Sequence, residues 1–255
     1  MNPDLQPLLA DALLGLADDE MILGHRDAEW TGHAPILEED IAFANIALDE
    51  MGHAGLWYRL VAELRGEDPE TFPDRLVFHR APDEFRCIRM VELPKGDWAF
   101  TIVRQFLFDS AETVRLQALQ QSRHQPLAQA AAKISVEERY HDRHLRAWVR
   151  RLGLGTEESH LRMQTALDAL WPYVRQLFEP QPGEGELTAA GLVPASEGLG
   201  RAWQGVVAAA LSDAGLAMRN GQPEIVDGRD RHTRHLQPLL AEMQSVARLE
   251  SYASW

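Results

Sequence analysis

Apolar residues recur every three or four positions along most of the chain, and strict alternation is scarce, so the pattern predicts helices and few strands. The first helix is expected from about Asp4 to Glu29, with the stripe Leu5, Leu9, Leu13, Leu16, Glu20 and Gly24. Thr31-Gly32-His33-Ala34-Pro35 breaks it, and Pro35 suits the first turn of a second helix running to about Arg65. That helix carries Phe43, Ile46, Ala47, Glu50, His53, Ala54, Trp57 and Leu60 on one face. Residues 67–96 are charged and Pro-rich, too long for a tight turn, and read as a crossover with short irregular pieces.

Asp97 is placed to cap a third helix, about Trp98 to Ser122, whose face holds Phe108, Glu112, Leu116 and Leu119. After the break His124-Gln125-Pro126, a fourth helix is expected to about Leu152, with the stripe Leu127, Ala131, Ile134, Glu138, His141, Leu145 and Trp148. Thr156 caps a fifth, to about Phe178, with Met163, Leu167, Leu170, Val174 and Leu177 inward. Residues 179–198 read as a linker, followed by helices at about Leu199–Leu216 and Arg231–Leu249.

Two motifs break the apolar stripes. Asp49-Glu50-Met51-Gly52-His53 and Glu137-Glu138-Arg139-Tyr140-His141 each put a carboxylate and an imidazole three residues apart, on one helix face. One Glu-x-x-His is expected about once by chance in a chain of this length. These two differ because they lie within apolar stripes, where a charged carboxylate costs several kcal/mol unless it is paired or metal-bound. A third, Glu157-Glu158-Ser159-His160, opens a helix outside any such stripe and reads as surface, favoured by the helix dipole.

Each embedded motif also follows a helix with a lone Glu on its core face, Glu20 and Glu112. Glu20 and Glu50 flank the break at Pro35 symmetrically, as Glu112 and Glu138 flank Gln125. If each break is a tight turn, both Glu residues of a hairpin sit about 20–22 Å from it at 1.5 Å per residue. Glu20, Glu50, His53, Glu112, Glu138 and His141 then form one layer. One Glu from each of two helices and a Glu-x-x-His from each of two others is the inward-facing set of ferritin-like dimetal proteins. Oxygen-rich ligation with imidazole and without thiolate favours iron or manganese. The rival reading is a core of hydrogen-bonded Glu and His. Asp49, Asp109 and Glu137 are candidates to orient the ligands from behind; Asp49 and Glu137 read almost as well as solvated charges. His144 reads as a surface or core residue. His25, His33, His79, His124, His232 and His235 receive no role.

The formal net charge of −14 argues against a nucleic-acid or anionic-membrane surface. A single cysteine, Cys87, excludes a disulfide framework, a Cys-ligated zinc site and an iron–sulfur cluster within the chain. Neither a signal peptide nor an apolar run near the ~20 residues of a membrane span is present, so the cytoplasm is expected.

Several stretches together resemble the C-type subunits of the multicomponent phenylacetyl-CoA epoxidases, across nearly the whole chain. They are Glu29-Trp30-Thr31-Gly32-His33-Ala34-Pro35, Ala44-Asn45-Ile46-Ala47-Leu48-Asp49, Thr101-Ile102-Val103-Arg104-Gln105, Arg139-Tyr140-His141, and the tail from His232 to Gln244. The resemblance implies an all-α, ferritin-like four-helix bundle with a long crossover and additional C-terminal helices. A single domain over 1–255 is expected, with the bundle at about 4–152 and the added helices at about 156–250. The resemblance also implies pairing with a catalytic A-type subunit, whose di-iron site epoxidises the aromatic ring of a CoA thioester with O₂. The familiar C-type subunits are considered structural and have lost metal ligands. This chain departs from them, since all six residues stand at the matching positions. The expected function is therefore a ferritin-like partner of the A-type subunit with an intact two-iron site, manganese being the other metal the set would take. The alternative is a chain that is itself a di-iron oxygenase or ferroxidase-type enzyme, with no catalytic residue beyond the ligands. Electrons need a separate reductase, because Leu152-Gly153-Leu154-Gly155 follows a helix and is no dinucleotide fingerprint. A homo-oligomer is left open.

Overall fold

The computed structural model describes residues 2–218 and 228–249. They are helical throughout, with no strand among the described residues, in agreement with the all-α class. The final position of the expected C-terminal region, 250, lies outside them. The chain divides into two compact units, one from Met1–Thr31, Ile41–Pro94 and Gly228–Trp255, the other from Gly32–Asp40 and Lys95–Asp227.

In the first unit, α1 (Leu5–Ala28) pairs with α2 (Leu37–Arg65), whose first four residues belong to the second unit. α1 is buried far beyond its predicted stripe: Ala10, Leu14, Ala17, Ile22 and Leu23 are covered, as are the charged Asp18, Asp19, Arg26 and Asp27. α2 starts two residues after Pro35, with Glu38, Glu39 and Asp40 in its first turn, where the helix dipole favours acids. Gly66 ends it at φ +71°, a left-handed turn that lets Glu67 N–H donate to the Ala62 carbonyl at 2.9 Å.

The helices approach closely at Gly24. A Cβ built there would lie 3.0 Å from the Ala47 carbonyl oxygen and from Glu50 Cβ, and 3.2 Å from Met51 Cγ. The first two are backbone-fixed and yield little. Gly24→Val is therefore expected to cost about 2 kcal/mol through overpacking, measured by urea denaturation. A variant as stable as the parent would show that the α1–α2 spacing relaxes freely.

The crossover folds into α3 (Phe72–Phe78), a 3₁₀ turn (Pro82–Glu84) and α4 (Arg89–Glu92), which packs on α1. The expected terminal helix is shorter and split, as α10 (Leu236–Met243) and α11 (Ser245–Leu249). Pro238 lacks an N–H and suits only a first turn, which fixes where α10 begins. Gln244 then donates to the carbonyls of Val77 (2.9 Å) and Arg80 (3.1 Å), tying the tail to the crossover.

Burial lowers the pKa of His25 on α1, opposed by the Glu242 and Glu29 charges and helped by Arg26. A depressed folded pKa means that the unfolded chain binds more protons just below the usual value of about 6.5. Stability is thus complete above that value and falls as pH drops below it. His25→Gln is expected to flatten the dependence of denaturation midpoint on pH between about 7 and 5; an unchanged slope would remove His25 as its cause.

In the second unit, α5 (Trp98–Leu119) is central, packed by α6 (Gln125–Gly153), α7 (Glu157–Leu170) and α9 (Ser196–Asp213). Every residue from Thr101 to Glu112 is buried, as befits a helix covered on all sides. Asp97 caps α5 by accepting from Phe100 N–H at 2.9 Å, and Thr156 caps α7 by accepting from Ser159 N–H at 3.1 Å, both as expected. The predicted α6 stripe is buried at all seven positions. Beyond Leu170, Pro172 removes a donor and the expected fifth helix continues as 3₁₀ turns over Trp171–Phe178. The predicted linker contains a short helix, α8 (Glu184–Ala189).

Candidate metal centre

All six predicted ligands are at least 96% buried: Glu20 and Glu50 are fully covered, and His53, Glu112, Glu138 and His141 are exposed by 1–4%. In the first unit, α1 supplies Glu20 and α2 supplies Glu50 and His53. Each of the three offers a ligand atom within 4.8 Å of the others. His53 Nδ1 lies 3.7 Å from Glu20 Oε2 on the facing helix. Two carboxylates and an imidazole from two helices thus converge in a buried core.

The second unit repeats the chemistry on α5 and α6. His141 Nδ1 lies 3.3 Å from Glu138 Oε1, and His141 and Asp109 offer ligand atoms within 4.8 Å of each other. Gln105 Nε2 donates to Asp109 Oδ1 at 2.9 Å, fixing that carboxylate from one turn earlier. The separation of Asp109 from His141 suits a carboxylate that orients the imidazole. Glu112 is engaged differently: it forms an ion pair with the Arg115 guanidinium on its own helix, and Arg115 Nη2 also donates to the Leu177 carbonyl at 2.5 Å.

The donors suit a metal. In each unit an Nδ1 is turned to a carboxylate oxygen, and the oxygen-and-nitrogen set is what iron or manganese takes. Glu20, Glu50 and His53 in the first unit form a buried cluster able to bind a metal. Asp49 and Glu137 are half-buried on the flanks of their motifs. His144 is half-buried, with Nε2 2.9 Å from Glu39 Oε2. Glu157 and Glu158 are exposed, in keeping with the surface reading of the third motif, and His160 Nδ1 donates to the Gly153 carbonyl at 2.8 Å.

Two charged clusters escaped the sequence reading. Asp18 is gripped by Arg80, whose Nη1 donates at 3.0 Å, and accepts from Tyr58 Oη at 2.6 Å and Arg86 N–H at 2.7 Å. Burial, then the Asp18 charge, raises the Tyr58 hydroxyl well above its ordinary range, so it remains a donor. Asp19 pairs with Arg229 at 2.8 Å and accepts from Ile88 N–H at 2.7 Å. The signal available was three consecutive acids, Asp18-Asp19-Glu20, inside an apolar helix. The second cluster, Cys87, Glu92 and His232, left no local signal, because its members are up to 145 residues apart in sequence.

Comparison with known proteins places the chain in a family. The family model described as "Phenylacetic acid catabolic protein" matches residues 1–255. The chain is 38% identical over 243 residues to the C-type subunit of the 1,2-phenylacetyl-CoA epoxidase of Escherichia coli K12, covering 95% of this chain and 97% of that protein. It is 27% identical over 154 residues to the A-type subunit of the same enzyme, covering 60% of this chain and 48% of that one. No helix among the described residues is long and apolar enough to cross a membrane.

Proposed function

The chain belongs to the phenylacetic acid catabolic protein family, and on that premise we propose that it is the C-type subunit of a 1,2-phenylacetyl-CoA epoxidase, acting in the cytoplasm. The observation that carries this reading is the end-to-end similarity to the C-type relative, 97% of which is covered. The catalytic A-type subunit is its direct partner, a separate reductase supplies electrons, and the CoA-thioester substrate is met through the complex.

In this reading Glu20, Glu50, His53, Glu112, Glu138 and His141 hold two iron ions, with Asp109 orienting His141. Such a pair, when bound, supplies redox and Lewis-acid chemistry toward O₂. The chain's own part is to fix the donors. Glu20 and Glu50 balance cationic charge from facing helices. His53 and His141 present Nδ1. The buried flanks of α1, α2, α5 and α6 exclude water. Arg115 pairs with Glu112 Oε1, which leaves Oε2 as that carboxylate's ligand atom.

Co-expression with an A-type partner tests this assignment. A stable complex that epoxidises phenylacetyl-CoA, given a reductase, is the expected result. A chain that stays apart from that partner, and adds nothing to its activity, would overturn the assignment. A second reading, that this chain is itself a di-iron oxygenase or ferroxidase, is favoured by the completeness of the buried donor set. Oxidation of Fe(II) by the isolated chain on admitting O₂, at many irons per chain, would establish it over the first reading.

A further inference from the structure

The first unit holds another group of potential ligands, built from none of the six residues of the carboxylate-rich set. Cys87 precedes α4, Glu92 is the last residue of α4, and His232 lies just before α10. Cys87 and Glu92 are fully buried, and the His232 side chain is 90% buried. Each offers one ligand atom within 4.8 Å of the other two. His232 Nδ1 is 2.7 Å from Glu92 Oε1, and Cys87 Sγ is 3.7 Å from the same oxygen.

The outer contacts fix the donor and acceptor roles of the group. His232 Nε2 lies 3.1 Å from the Phe85 carbonyl, which can only accept, so Nε2 carries a proton. Glu92 Oε2 is held by Thr233 N–H at 2.6 Å. A neutral His232 would then point the Nδ1 lone pair at a carboxylate oxygen only 2.7 Å away. Two acceptors at that distance need a proton between them, and a metal ion that both atoms ligate from one side replaces it. A histidine whose far nitrogen donates to a backbone carbonyl, and a carboxylate anchored by a backbone N–H, are the supports that metal ligands commonly have.

We infer that Cys87, Glu92 and His232 form a mononuclear site for a zinc-like divalent cation, distinct in its ligands from the carboxylate-rich set, which fastens the C-terminal segment to the crossover. One thiolate, one imidazole and one carboxylate is a mixed donor set that zinc accepts, with water as the fourth ligand, so the lone cysteine rules out only a site of several thiolates, a narrower exclusion than the one drawn from the sequence. Binding replaces two protons, that of the Cys87 thiol and the one shared by Nδ1 and Oε1, and both leave to solvent. Metal affinity should therefore fall with pH. In the metal-free state burial, then the Glu92, Asp18 and Asp19 charges, hold the thiol well above its usual range, so the proton stays until the metal displaces it. Arg229 opposes a cation here, but its guanidinium is committed to Asp19 and to the Gly15 and Arg86 carbonyls.

Cobalt(II) provides a test, since the chain has one cysteine and only this site can give a thiolate-to-cobalt charge-transfer band in the near ultraviolet. The full-length chain titrated with cobalt(II) is expected to show that band, and zinc to bleach it. Cys87→Ser should abolish it, His232→Gln should weaken cobalt binding at least tenfold, and Glu50→Gln should leave it intact. Absence of the band in the parent chain would overturn the proposal whatever happens at the carboxylate-rich centre. So would a band with unaltered affinity in folded His232→Gln. If Cys87→Ser fails to fold, the parent band and the His232→Gln titration still decide the matter.

Discussion

Combined replacement of Glu50 and His53 by Ala is expected to reduce anaerobic iron loading from about two ions per chain, the complement of a ferritin-like site, to fewer than about one half. The reason is local to the α1–α2 pair. Glu50, His53 and Glu20 offer ligand atoms within 4.8 Å of one another, so the double variant removes two of three donors from that group. Stability supplies an independent readout. Binding to the folded state alone stabilises it by about 2.7 kcal/mol when free metal is a hundred times Kd, and the variant should lose that increment. Metal-free, Glu50→Gln should be more stable than the parent, because it relieves repulsion between two buried carboxylates and the cost of burying one of them. Opposite shifts in the presence and absence of iron would be hard to reconcile with a structural Glu–His network, in which both variants simply lose contacts. No iron in the reconstituted parent would end the dimetal reading and leave the place in the epoxidase complex standing on similarity alone.

Arg80→Met should produce the largest loss of stability, about 3–5 kcal/mol, the usual consequence of stranding a buried partner charge. Asp18 is fully buried, and after the change only Tyr58 Oη and Arg86 N–H remain of its three hydrogen-bonding groups. Arg80 also caps the Leu76 carbonyl at 2.5 Å and lies over the Phe85 ring at 4.1 Å, so packing is lost with charge. Adding Asp18→Asn should restore a good part of the loss, since the stranded charge goes with it. Urea denaturation of the parent, both single variants and the double variant gives the coupling energy. Purely additive effects would show that the two residues do not act as a pair.

The α6 stripe shows how much was legible in the sequence. Its seven positions repeat every three or four residues, and all seven are buried, Glu138 and His141 among them. Where one helix face is covered and the other wet, hydrophobic periodicity carries the information. The same logic reaches its limit at α1 and α5. Helices covered on several sides have no single stripe, so no periodic signal marked Asp18, Asp19 and Asp27 as interior, where they lie. Helix ends followed local chemistry: Asp97 and Thr156 as caps, Gly66 as a left-handed stop, Pro172 as the point where α-helix gives way to 3₁₀ turns.

The candidate site divides in the same way. Glu20, Glu50, His53, Glu138 and His141 could be picked out because a carboxylate or imidazole within an apolar stripe is locally anomalous, and helical geometry converts that spacing into a shared face. The sequence by itself therefore determined the helical class, most helix limits and the acids and imidazoles set within apolar stripes, all properties of the chain over a few turns. Tertiary structure alone decided which of them meet. It turned Asp109 to His141, gave Glu112 to Arg115, set Arg80 on Asp18, and brought His232 to Cys87 and Glu92 from the far end of the chain. Contacts across such separations arise from packing, and no local period in the sequence encodes them.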